Sequence, residues 1–319
     1  VKKAYSTYQK LIKADLVFSR TTANAEFTSQ QATDLIRERV LSGEPLMISR
    51  FGANELNCIL NYHFIHQGVA GNFRNILTGI PFFFNMNKNI IQSMNINAGF
   101  FPPTTENIIK YCQLSLSDLP EIDILGSWLN HEKFLYDYMP STHKRVRLWD
   151  LSPVSNPISP WTIALKGKKV LVIHPFEETI KKQFKKRSLL FDNQELLPDF
   201  ELKTLKAVQS VAGNGTVSGF KDWFEALESM QEKVLSIDFD FAILGCGAYG
   251  MPLAAFIKRM GKQAIHLGGE TQIMFGIKGK RWEAPSYNYN NLFYNEHWTR
   301  PLNIDKPANA EKVEGACYW

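Results

Sequence analysis

Along this chain, apolar positions recur at helical spacing in some stretches and stand in short unbroken runs in others, and the two patterns alternate. Thr28 and Gln31 form a capping-box pattern ahead of an apolar stripe at Leu35, Ile36, Val40 and Leu41, and Gly43 ends it, which predicts a first helix. Leu46-Met47-Ile48-Ser49-Arg50-Phe51 reads as a buried strand, and the turn at Gly52 leads into a helix carrying Glu55, Leu56, Ile59 and Leu60. Residues 68–103, rich in Asn, Phe and Gly, follow neither period and are expected to be an insertion or lid, ahead of a helix opened by Thr104 or Thr105. Short strands are predicted at 122–125 and 146–148, with a helix at 132–138 between them.

The second half is more regular. Strands are predicted at 168–176, 202–211, 241–244 and 263–267, with helices at 177–190, 220–234 and 251–260. Strand runs apolar on both faces, alternating with helices, imply an α/β fold with a largely parallel sheet and helices on both faces. No internal repeat is visible. Residues 1–285 read as one domain, and 286–319, rich in Asn, Tyr and Pro, as a tail expected to wrap the surface.

Composition narrows the class. With 319 residues, 45% hydrophobic, 21% charged and a net charge of +5, the chain is globular, and disorder, collagen and coiled coil are excluded. Four cysteines without a C-x-x-C pair support neither a zinc knuckle nor a disulfide framework, so a reducing, cytoplasmic setting is expected. No run of about 18 apolar residues is present to span a membrane. Phe82-Phe83-Phe84 can touch lipid at the inner face of the membrane or form part of a buried lid. The positive charge is concentrated in Lys181 to Arg187, which suits a phosphorylated small molecule or a solvated helix face better than nucleic acid.

In an open parallel sheet, ligands bind beyond the carboxyl ends of the strands, where loops diverge and helix N-termini present free N–H groups. The residues expected there are Arg50, Gly52 and Glu55, then His174, then Gly245, Gly247 and Gly250, then Gly268, Gly269 and Gln272. Gly245-Cys246-Gly247-Ala248-Tyr249-Gly250 is a literal G-x-G-x-x-G between a strand and a helix, with Glu270 where a ribose-binding acid would be sought. A nicotinamide- or flavin-dependent oxidoreductase is therefore one reading, and glycines needed only for helix-on-strand packing another. The segment 268–282 adds Lys278 and Arg281 as cations for phosphate and Trp282 as a flat ring. Glu55 suits a helix start as well as catalysis, whereas Arg50 at the end of an apolar strand requires a partner. His63 and His66 lack zinc-ligand spacing, and no G-x-S-x-G elbow occurs.

The block Ile48-Ser49-Arg50-Phe51-Gly52-Ala53-Asn54-Glu55-Leu56, with residues 240–250, 261–268 and 275–282, resembles the GT-D-fold glycosyltransferases. The resemblance implies a Rossmann-like domain that moves a sugar from a nucleotide-sugar donor, expected to be a UDP-sugar, to a glycan, lipid-linked or protein acceptor in surface-glycan synthesis. It also implies an R-x-G-D-x-E pattern, matched by Arg50, Gly52 and Glu55 but with Ala53 in the aspartate position. That change removes one expected ligand for Mn2+ or Mg2+ and leaves Glu55 as the residue carried over, as catalytic base or metal ligand. Arg50, Arg187, Lys278 and Arg281 are the expected diphosphate cations, His174 is the second choice for proton transfer, and the glycines and Gln272 are expected to border the donor. A non-catalytic nucleotide-sugar-binding module is the further alternative, suggested by the missing aspartate.

Overall fold

The computed structural model describes residues 24–66, 85–285, 287 and 289–319. Seven strands form one parallel sheet: β1 (Leu46–Ser49), β2 (Ile124–Ser127), β3 (Lys144–Arg147), β4 (Lys169–His174), β5 (Glu201–Lys206), β6 (Phe241–Leu244) and β7 (Gln263–His266), in the order β3-β2-β1-β7-β6-β4-β5. β1, β2, β6 and β7 are buried along their whole length, which is why their sequences do not alternate. The outer strands carry exposed Lys144, Glu201 and Lys206, charges that discourage pairing with another chain.

The sheet separates two apolar cores because successive strand side chains point to opposite faces. Leu171, Ile173, Ala242 and Leu244 join one core and Val170, Val172, Phe241 and Ile243 the other. The first core is closed by α2 (Ala53–His66), α3 (Lys88–Ala98), α4 (Thr105–Asp118), α6 (Trp223–Leu235) and α7 (Gly250–Arg259). The second receives α1 (Ser29–Leu41), α5 (Glu177–Phe184), α8 (Glu270–Met274) and the tail residues Tyr289 and Trp298.

Local expectations need several corrections. The Thr28 side chain makes no cap; the Ser29 N–H instead donates to Asp150 Oδ2 at 2.8 Å, a long-range partner that no local pattern announces. Part of the expected insertion is a regular helix, α3, capped by Asn87 and ended by left-handed Gly99. Its buried positions Ile91, Met94 and Ala98 have helical spacing, obscured in the sequence by interleaved asparagines. Residues 130–138 form 3-10 turns instead of an α-helix, and the helix expected at 177–190 stops at Phe184. β5 ends at Lys206, which frees residues 207–211 to leave the sheet. Phe82-Phe83-Phe84 lie outside the described residues, among which no helix is long and apolar enough to cross a membrane.

Candidate functional site

From β1 the chain steps outward to β2 and β3, whereas β7, β6, β4 and β5 lie on the other side of β1. The loops leaving β1 and β7 therefore diverge, and at the carboxyl ends of the strands they border a cavity of about 420 Å³. Its wall includes Arg50, Gly52 and Glu55 after β1, His174 at the end of β4, Gly245 and Gly247 after β6, Gly268, Gly269 and Gln272 after β7, and Arg281. The arginine–glutamate segment and the glycine turn thus face one space.

Glu55 lies in the first turn of α2, and its carboxylate folds back over Gly52, where any Cβ would overlap it. Burial pushes its pKa up, the positive charge of Arg50 and the local backbone N–H oppose that, and the nearby Glu314 carboxylate adds to the rise. The Arg50 guanidinium donates to the Phe51 carbonyl through Nη1 at 3.1 Å, and the same carbonyl accepts the Trp128 indole N–H at 2.9 Å. The cation closing the apolar strand therefore has a backbone partner, and it borders the cavity.

The glycine turn serves packing as much as access. A Cβ on Gly245 would stand 2.5 Å from His174 Cδ2 and 2.7 Å from the Gly268 carbonyl, and one on Gly250 would overlap the His266 ring. Gly250 is absent from the cavity wall, which corrects its assignment to the donor site. Glu270 accepts the Trp282 indole N–H at 2.6 Å, the Ser152 hydroxyl at 2.9 Å and the Tyr289 hydroxyl at 3.4 Å. Its carboxylate is committed to the protein, so the dinucleotide fingerprint lacks a free ribose-binding acid.

Two expected diphosphate cations also lie elsewhere. Arg187 pairs with Asp199 at 2.5 Å and covers the Phe184 ring, and Lys278 sits over the Tyr294 ring at 5.2 Å. Neither lines the cavity, and nor does any other residue of the basic run from Lys181. Arg187 was expected from the basic run and Lys278 from the glycine-rich 268–282 segment, but the turn after α5 and the loop that carry them direct them toward other partners.

Arg281 is held by the tail. It pairs with Glu314, donates to the Tyr318 hydroxyl at 3.1 Å and lies 4.6 Å from the centre of that ring. Gln272 donates to the Tyr318 carbonyl at 3.3 Å, and a Cβ on Gly269 would come within 2.8 Å of the Tyr318 ring. Val313, Glu314, Tyr318 and Trp319 consequently form part of the wall, as do Asn97 and Ala98 from α3 and residues 208–211 after β5. None of these was singled out in the sequence; the one available signal was the density of aromatic residues in the tail.

His174 is not suited to the proton-transfer role expected of it. Its Nδ1 accepts the Phe176 N–H at 2.9 Å, and burial lowers its pKa to about 3, so the ring is neutral near pH 7. A divalent metal also lacks a fitting donor set: Ala53 stands in the wall beside Glu55, and among the described residues no group of three His, Cys, Asp or Glu side chains is placed to hold an ion. His63 Nδ1 instead meets the Tyr138 hydroxyl, and His66 Nδ1 meets the Tyr62 carbonyl.

No protein-family model and no curated protein matches the chain. Among solved structures, a selenomethionine-substituted domain of unknown function 1792 is similar over 84% of this chain and 99% of that chain, with 13% identity and a TM-score of 0.35. At that score the likeness carries no weight for function. The parallel sheet with helices on both faces makes the chain an α/β protein of Rossmann-like architecture.

Proposed function

We propose that the cavity binds a nucleotide-sugar and that the protein is a glycosyltransferase, moving the sugar to an acceptor hydroxyl. The observation that carries this reading is the meeting of Arg50, Glu55, Arg281 and the Gly245 to Gly247 turn in one cavity of about 420 Å³, a size suited to a small ligand. In glycosyl transfer the sugar ring gains positive charge while the departing diphosphate oxygen gains negative charge. A site for it needs a carboxylate on one side and cations or N–H donors on the other.

In this reading Glu55 takes the acceptor proton. Arg50 and Arg281 bear on the diphosphate, the glycine turn lets the donor approach the backbone, and Trp128, Tyr287 and Trp319 offer ring faces to the base or sugar. A base acts only when ionised, so turnover is expected to fall as pH drops through the raised pKa of Glu55.

The test combines a thermal-shift panel of nucleotide sugars, with and without Mn2+, and a transfer and donor-hydrolysis assay of Glu55→Gln. We expect a UDP-sugar to raise the melting temperature, and the variant to lose about 100-fold or more in turnover while remaining folded. Unchanged turnover rejects the role of Glu55. Failure of every nucleotide sugar to stabilise the protein rejects the donor class, and binding without turnover in the native protein indicates a non-catalytic module.

A further inference from the structure

His174 ends β4, is one of the residues lining the cavity, and has only 4% of its surface exposed. Because Nδ1 accepts the Phe176 N–H, its lone pair is occupied, and the single proton of the neutral ring sits on Nε2. Protonating Nδ1 would set two donors against each other, and turning the ring over would present a C–H to that amide. The ring is further seated by Phe176, 4.8 Å away between centroids, and by Gly245, whose missing side chain leaves room for Cδ2.

The other nitrogen has no such commitment. Nε2 meets no partner among the described residues, and it is not one of the polar atoms sealed inside the protein. His174 itself is one of the residues that line the cavity. A single Cβ on Gly245 would meet both His174 Cδ2 and the Gly268 carbonyl, and one on Gly268 would meet the Arg50 guanidinium. A fixed, uncharged N–H donor and a cation therefore border one stretch of wall. The other charged groups facing the cavity are Glu55, Glu270, Arg281 and Glu314.

We propose that His174 is an anion-binding residue, whose Nε2–H holds a phosphoryl oxygen of the ligand beside Arg50 without exchanging a proton with it. The identity of that anion as a diphosphate rests on the proposed function; the donor state of the ring does not. A donor locked in place before the ligand arrives favours oxygen charge without reorganising during reaction.

The experiment is long-range proton–nitrogen NMR of the full chain with labelled histidine, between pH 5.5 and 8, without and with inorganic pyrophosphate. Comparison with His174→Gln assigns the signal. The Nε2–H tautomer is expected throughout, with its proton resonance moving as pyrophosphate is added. A ring that titrates in this range, an Nδ1–H tautomer, or a resonance indifferent to pyrophosphate would overturn the proposal.

Two variants separate the role from a structural one. His174→Asn keeps an acceptor for Phe176 but leaves no N–H at the Nε2 position, and is expected to weaken pyrophosphate binding about tenfold or more. His174→Gln reaches the donor position and is expected to retain most of the affinity. Equal binding by native protein and His174→Asn would reject the assignment. A resonance that responds to pyrophosphate in a protein with no transferase activity would retain the anion site and reject only the proposed reaction.

Discussion

The Arg50 guanidinium lies directly against Gly268, so that a Cβ added to the glycine would overlap Nη2. The two residues follow the ends of neighbouring strands, and the bare α-carbon of one makes room for the charge of the other. Gly268 also adopts a φ of 63°, in the left-handed region where a side chain is strained.

Gly268→Ala is therefore expected to lower stability by about 1–3 kcal/mol and to displace Arg50, weakening anion binding as well. Gly250→Ala overlaps the His266 ring away from the cavity wall, and is expected to cost about 1–3 kcal/mol through overpacking with little change in affinity. Denaturant unfolding and pyrophosphate titration of both variants check the contrast. Equal loss of affinity in the two would show that the second glycine also serves the ligand.

Glu314 pairs with Arg281 inside the cavity wall, so an anionic ligand competes with it for that guanidinium. The pair is partly exposed, and its loss in Glu314→Gln is expected to tighten pyrophosphate binding about two- to fivefold. The Glu314 charge also raises the pKa of Glu55. Removing it is expected to move the acid limb of kcat/KM to lower pH, read from a pH–rate profile of the native and variant proteins.

Glu132 is fully buried and accepts the Ser127 hydroxyl at 2.5 Å and the N–H groups of Trp128 and Leu129 at 3.2 and 3.1 Å. Burial outweighs these bonds and pushes its pKa up to about 7. The folded state then holds a proton that the unfolded chain releases near the ordinary value of 4.5. The stability gained from this proton is fully present below pH 4.5 and is lost as pH rises through about 7, a swing of up to about 3 kcal/mol. Glu132→Gln is expected to flatten that dependence, measured by unfolding at pH 5 and pH 8. An unchanged slope would assign the titration to another group.

The strands and most helices were legible because their information is local. β6 coincides with its expected span, and Gly43 and Thr104 mark a helix stop and a helix start. Arg50, Gly52 and Glu55 could be grouped from sequence because a strand-turn-helix unit places its own loop at the sheet's carboxyl edge. Arg187, expected from a local run of cations, and Lys278, expected from a glycine-rich segment, did not reach the site. A cation grouped by composition remains free to turn to a carboxylate or a ring, and these two did.

By itself the sequence determined the alternation of strands and helices and the chemistry available at the strand ends, since periodicity and turn residues act over a few positions. Tertiary structure alone decided the rest: which strand ends became neighbours, that Asp150 caps α1, that Glu270 is spent on Trp282, Ser152 and Tyr289, and that Glu314 and Tyr318 reach Arg281. Those outcomes depend on sheet order and on desolvated polar groups finding partners far along the chain, and no local pattern encodes either.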